Sequence, residues 1–255
     1  MATGVTVAAI LGAALAWPLV FDVTAPLLSD RAASSAVRAA PLWDRLRPVP
    51  AFDSAPPPAS DAAARVMDVL TDVEARMRTT RYQHRTRVRE ARGEYAWDCS
   101  GMAAWVLQRA APESRRSLGH GRPVARRFHR VIARAPTDRA RRGWRRLAHV
   151  REARPGDLFA WERPPDFPSR NTGHVGFVVN APARLADDRW AVRILDSTSL
   201  PHQDDTREPD GAGGAGRGTM VFLTDGRGRA VAYAWRGTRS LVHVHAPIAF
   251  GRVHR

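Results

Sequence analysis

The spacing of apolar residues changes several times along this chain, and each change marks a different segment. Residues 5 to 21 are an uncharged apolar run, ending at Phe21 before Asp22. From Leu27 to about Ser60 the chain turns to Ala, Ser, Pro and Arg, and closes on Pro56, Pro57 and Pro58. A proline triplet suits neither helix nor sheet, so this stretch predicts a linker. Behind Ser60, a favoured N-cap, Val66, Val69, Leu70, Val73 and Met77 recur at helical spacing. Asp98 is a second N-cap, followed by Met102, Ala103, Val106 and Ala110 on one helical face.

Between residues 115 and 154 a third apolar stripe, Val124, Phe128, Val131 and Ala135, stops before Pro136 and predicts an amphipathic helix. Trp144, Leu147 and Val150 would fit a further short helix. From Asp157 the pattern becomes that of strands, with candidates at Asp157–Trp161, His174–Val179, Trp190–Thr198, Thr219–Thr224, Ala230–Trp235 and Pro247–Val253. Asp225-Gly226-Arg227-Gly228 reads as a hairpin turn. Helices first and an antiparallel sheet afterwards predict an α+β domain.

Composition sharpens this only in part. A chain of 255 residues with 44% hydrophobic content can build a proper core. Its formal net charge is +15 and all 40 basic residues are arginine, a bias that GC-rich coding also produces. The charge favours anionic surfaces without choosing among wall carboxylates, acidic lipid headgroups and nucleic acid. Residues 115 to 154 hold fourteen arginines against Asp138 and Glu152, which fits a solvated helical face or a basic rim for an anionic polymer. No nucleic-acid reading motif accompanies them. A single cysteine excludes an internal disulfide and a Cys-rich zinc site.

That cysteine, Cys99, follows the Asp98 cap, so its thiol is placed in the first turn of a helix on the core-facing side. Free N–H groups and the helix dipole there lower a thiol's pKa. The plain alternative is a small buried hydrophobe. Three segments weigh against it: Asp98-Cys99-Ser100-Gly101 at a helix start, Pro155-Gly156-Asp157 turning into a strand, and Gly173-His174-Val175-Gly176 opening another. Together, in this order, they resemble the NlpC-type cell-wall cysteine peptidases, a papain-like family related to the CHAP amidases. The resemblance covers about residues 80 to 200.

The resemblance implies a papain-like fold, with the cysteine helix packed on an antiparallel sheet that carries the histidine. It implies Cys99 as nucleophile and His174, among nine histidines, as the base, a role that suits a near-neutral pKa. A structural strand histidine is the alternative. The family places a polar residue on the following strand to orient the base, usually His, Asn or Gln. Asp196 falls there in this chain, where a carboxylate can serve the same end or simply cap a strand. Relatives also carry a tyrosine at the site. Tyr82 and Tyr95 both qualify, with Tyr82 preferred. By resemblance alone, Asp98 and Ser100 would contact the substrate's amino end, and the backbone N–H of Cys99 would serve the oxyanion. The 75 residues between Cys99 and His174 exceed the spacing of compact members, so residues 115–154 read as an Arg-rich helical insertion.

His202, Asp204 and Asp205, and the alternating pair His243 and His245, are read as loop or surface features without a complete metal-ligand set. Gly211 to Gly218 reads as a flexible glycine-rich loop. The expected organisation is a signal peptide or membrane anchor over 1–25, a linker over 26–60 and a catalytic domain over 61–255. The apolar run lacks a preceding basic residue and is interrupted by Pro18, and a buried element is its alternative. The expectation is an exported or envelope-facing hydrolase of peptidoglycan stem peptides that needs no cofactor or metal. A thiol amidase or acyltransferase on another substrate, or a non-catalytic module binding envelope polyanions through the arginine face, are the rivals.

Overall fold

The computed structural model describes residues 36–41, 48–49, 51–52, 55–167, 169–208 and 211–255. The apolar run at 5–21 lies outside them. Within them no helix is long and apolar enough to cross a membrane. The described chain is mixed α+β, with four α-helices and a large antiparallel sheet.

The first helix, α1 (Asp61–Arg76), starts where expected. The Ser60 hydroxyl accepts from the N–H of Ala63 and donates to the Val253 carbonyl, so the cap also ties the helix to the last strand. Val66, Leu70 and Val73 are buried, with Val69 and Met77 partly covered. A small sheet follows: β2 (Thr79–Tyr82) runs parallel to β4 (Glu94–Trp97), and β3 (Arg87–Arg89) runs antiparallel to β4. Helix α2 (Cys99–Ala110) leaves β4 directly. Asp98 Oδ1 accepts from the Gly101 N–H at 2.7 Å and from the Ser100 hydroxyl at 3.0 Å, the cap the sequence predicts.

The large sheet has ten strands among the described residues. Its central strands are β6 (Leu158–Glu162), β7 (Gly173–Val178), β9 (Arg189–Thr198), β10 (Gly214–Thr224) and β11 (Ala230–Ala234), in the spatial order β11-β10-β9-β7-β6. Beyond β6 lie β13 (Ile248–Val253) and β5 (Trp144–Arg146). Beyond β11 lie β12 (Val242–His245) and β1 (Val37–Ala39), while β8 (Ala183–Ala186) pairs with β9. Side chains alternate along these strands. Leu158, Ala160, Val175 and Phe177 join the helices in one core, whereas Phe159, Trp161, Val178 and Ile194 join Met220, Phe222 and Phe250 in another.

Three expectations change. Val37–Ala39, inside the stretch read as a linker, pairs with β12, and Ala36 and Ala40 beside it are buried. The Arg-rich segment is α-helical only at the end of α3 (Pro112–Ser117) and in α4 (Ala125–Ala133), with a 3-10 turn at Val150–Glu152. Trp144 lies not in a helix but in edge strand β5, where its indole N–H donates to the Ser114 carbonyl and the Ser117 hydroxyl. In α4 the buried residues are Ala125, Phe128 and Ile132, one step away from the predicted Val131.

Asp157 of the Pro-Gly-Asp turn is structural in its contacts. It caps the Arg154 N–H and receives both arms of buried Arg252 on β13, at 2.9 and 2.8 Å. Gly156 sits at φ +85° against the Ala63 carbonyl oxygen, where an added β-carbon would stand 2.2 Å away. The turn therefore fastens the sheet to α1.

Candidate active site

Helix α2 brings Cys99 to strand β7. The sulfur is buried, with the backbone N–H groups of Val175 and Ser100 favouring its anion. Burial and the adjacent Asp98 carboxylate outweigh them, and the thiol is pushed up to about 12. The expected lowering by the helix terminus is thus overturned in the resting molecule. No hydrogen bond joins Cys99 to His174. The sulfur's partner on β7 is the backbone N–H of Val175, the residue after the histidine.

His174 lies at the open end of β7 and turns toward the aromatic side. Its ring centroid is 5.0 Å from those of Trp161 and Trp235 and 6.2 Å from that of Phe159. Gly173 before it has φ +136°, and a β-carbon there would meet the Trp161 carbonyl oxygen at 1.9 Å. Gly176 leaves space for the Asp196 Cβ, which would lie 3.0 Å from an added methyl. The glycines flanking the histidine therefore let β7 approach β6 and β9 closely.

Asp196 on β9 is the hub. Its Oδ2 accepts from His174 Nε2 at 2.6 Å and from His202 Nε2 at 2.9 Å, and its Oδ1 is paired with Arg207. Its own burial opposes ionisation, but the His202 and Arg207 charges and the His174 bond hold its carboxyl well below the usual range. Burial in turn pushes His174 down against the pull of Asp196. With Nε2 committed to Asp196, Nδ1 is the nitrogen left to exchange a proton.

His202 corrects the surface reading of its segment. Its side chain is fully buried, its ring lies tilted against Trp235 with centroids 4.3 Å apart, and its Nδ1 lies 2.9 Å from the Trp235 carbonyl oxygen. Asp205 staples the same loop, accepting from the His202 and Arg207 N–H groups and from the Arg207 guanidinium. Of the stretch read as a flexible glycine loop, Gly211 to Gly218, residues 214–218 are in fact the first part of β10. A β-carbon on Gly216 would come within 2.6 Å of Arg207 Cγ, and one on Gly218 within 2.5 Å of His202 Cβ. Alternating glycines in a strand signal the close approach of another segment, and this was the clue to His202 and Arg207.

The other predicted residues fall on the Cys99 side. Tyr82 pairs in register with Trp97, and its hydroxyl is pushed up by burial and then by Cys99 and Asp98, with Asp196 also within electrostatic reach. Tyr95 is buried instead among Trp97 and Trp105. Asp98 and Ser100 are both buried, and Asp98 Oδ2 pairs with Arg122 and, at 3.3 Å, with His84. Arg122 is thus the residue of the Arg-rich segment that, among the described residues, bonds into this cluster. Several of its other arginines bind carbonyls or acids: Arg115 the Gly119 and Gly121 oxygens, Arg127 the Leu118 oxygen, and Arg130 both Glu162 oxygens.

Ties between the elements fix this arrangement. Ser197 donates to the Trp97 carbonyl, Thr80 accepts from the Ala215 N–H, and Arg217 forms a two-point pair with Glu74. One donor atom each from His174, Asp196 and His202 lies within 4.8 Å of the others, a spacing that a metal ion could bridge. A cation there would displace two hydrogen bonds to Asp196 and sit beside Arg207, so the donor set fits proton bonding better than metal binding. His243 is buried on β12 and His245 half-buried. No protein-family model, curated protein or solved structure matches this chain.

Proposed function

We propose that this chain is a papain-like cysteine hydrolase that cleaves amide bonds in peptidoglycan stem peptides through a thioester, at the cell envelope or outside the cell. The observation that carries the reading is the buried His174–Asp196 pair, held on strands beside a helix that starts with Cys99. Such a pair orients an imidazole and fixes its tautomer, which is what a thiol needs from its base. The wall substrate comes from the resemblance of the Asp-Cys-Ser-Gly, Pro-Gly-Asp and Gly-His-Val-Gly segments.

In this reading the resting pair is neutral: a thiol with a raised pKa and an imidazole with a lowered one. Substrate docking closes the gap between Cys99 and His174, as catalytic hydrogen bonds often tighten only in the complex. Nδ1 of His174 takes the thiol proton and the sulfur attacks the carbonyl carbon. The backbone N–H of Cys99 and the Tyr82 hydroxyl receive the oxyanion. The imidazolium then protonates the leaving amine, and water, activated by the same ring, hydrolyses the thioester.

Asp98 already serves the helix cap, Ser100 and Arg122, so a substrate's amino end would have to displace Arg122 to reach it. The exposed arginines of 115–154 would hold the anionic wall. The deciding experiment is release of soluble muropeptides from purified peptidoglycan by the full chain. Release that vanishes in Cys99→Ala supports the reading. No release by folded, reduced wild-type protein overturns the wall substrate and leaves a different acyl substrate or polyanion binding.

A further inference from the structure

We propose that His202 is a positioning residue: a buried imidazolium that, with Arg207, clamps Asp196 and keeps His174 a neutral base. The inference rests on His174 acting as the base of the proposed hydrolase.

The geometry of His202 leaves its ring little choice. Nε2 faces Asp196 Oδ2 and Nδ1 faces the Trp235 carbonyl oxygen, each at 2.9 Å. A carboxylate and a carbonyl are acceptors only, and only the doubly protonated imidazole donates from both nitrogens. The ring is sealed from water, so an unmade bond on either side would go uncompensated. A buried charge must be matched, and Asp196 with Asp205 matches those of His202 and Arg207.

The consequence falls on His174. An isolated carboxylate at 2.6 Å would stabilise the protonated ring and disable it as a base near neutral pH. Two cations on the same carboxylate weaken that pull, and both His202 and Arg207 act on His174 in this lowering direction. They also fix the carboxylate, since Arg207 bonds at the same time to the carbonyls of Asp196, Gly214 and Gly216. The other charged or titratable groups facing the cluster are Cys99, Tyr82, and Asp98 with Arg122 on the helix side. On the aromatic side Tyr233 stacks on Trp161 at 4.1 Å.

The test is nitrogen NMR of the histidine rings in the full chain labelled with 15N-histidine, titrated across the stable pH range. In wild type, His202 is expected to carry protons on both nitrogens at pH 7, and His174 a proton on Nε2 alone. In His202→Gln the His174 midpoint is expected to shift upward, and Arg207→Gln to shift it the same way. A singly protonated His202 in wild type overturns the proposal, whether or not the variants fold. So does a His174 midpoint unmoved in a folded His202→Gln. Alkylation of Cys99 by iodoacetamide against pH, in wild type and His174→Gln, tests the base separately. A profile unchanged by His174→Gln overturns the dyad itself, and a changed profile with an unmoved His174 midpoint overturns only the role of His202.

Discussion

Replacing Asp196 by asparagine probes the hub with the smallest change in shape. Arg207 cannot give up a proton, so the asparagine oxygen must take the Oδ1 position facing it. The amide NH2 then occupies the Oδ2 position and faces the Nε2 atoms of both His174 and His202, which lie 2.6 and 2.9 Å from Oδ2 in the wild type. Each ring must present a lone pair there. For His174 that moves the proton to Nδ1, the wrong tautomer to accept one from Cys99. The equivalent exchange in a serine triad costs about 10^4-fold in rate, and a loss of that order is expected here. Stability falls as well, because Arg207, with 3% of its side chain exposed, keeps Asp205 as its counter-charge but loses the charge-assisted bond to Asp196. Removing a hydrogen bond to a charged group costs about 1.5–3 kcal/mol, against a total of about 5–15 kcal/mol for a domain. Urea unfolding should therefore show a much lower midpoint at unchanged slope, and muropeptide release should drop to near background in protein still folded at 25 °C. A variant within about 1 kcal/mol and tenfold of wild type would show that Asp196 neither balances Arg207 nor sets the His174 tautomer.

Other perturbations test the supports around this hub. Gly218→Ala puts a methyl 2.5 Å from His202 Cβ, so overpacking should cost about 1–3 kcal/mol in urea unfolding and slow hydrolysis, whereas Gly226→Ala, with open space around it, should do neither. Asp157→Ala strands the buried Arg252 and should cost about 3–5 kcal/mol by the same assay; an effect under 1 kcal/mol would contradict a structural role for this turn. Burial holds His129, His174, His245 and His254 below the ordinary histidine range, so the unfolded chain takes up their protons first as pH falls. Through these four groups stability should decline as pH drops below about 6.5 toward the folded-state values, with a doubly protonated His202 acting in the opposite direction, and a urea midpoint that does not fall between about pH 6.5 and 5.5 would refute this.

Three of the four α-helices and the central strands were legible because their burial is one-sided and periodic. Val66, Leu70 and Val73 advertise α1 through spacing alone, and Ser60 and Asp98 mark helix starts by cap chemistry that needs no tertiary partner. Edge strands carry weaker signals. Val37–Ala39 is three residues long with Arg38 and Ala39 facing solvent, so nothing in its own pattern separates it from the proline-rich surroundings. Trp144–Arg146 is hidden similarly, since its register on β13 is set by Val253 and Gly251, more than a hundred residues later.

The site divides along the same line. Cys99, His174 and Asp196 could be named from local motifs, and the structure ties the last two by a direct bond. What local motifs miss is charge balance, because it is a property of the assembled interior. A carboxylate as deeply buried as Asp196 requires cations, and its own strand offers Arg193, which instead bonds the Asp204 carbonyl and the Thr219 hydroxyl. The cations come from the loop after β9, and that loop fits only because β10 carries glycine at 216 and 218. Alternating glycines, the aspartate-rich loop before them and a histidine with an arginine inside that loop thus form one device when read together. Each alone reads as surface. The reading proposed for this chain accordingly rests on two layers: a cysteine helix and histidine strand visible in sequence, and beneath them the buried ionic cluster of Asp196, His202 and Arg207.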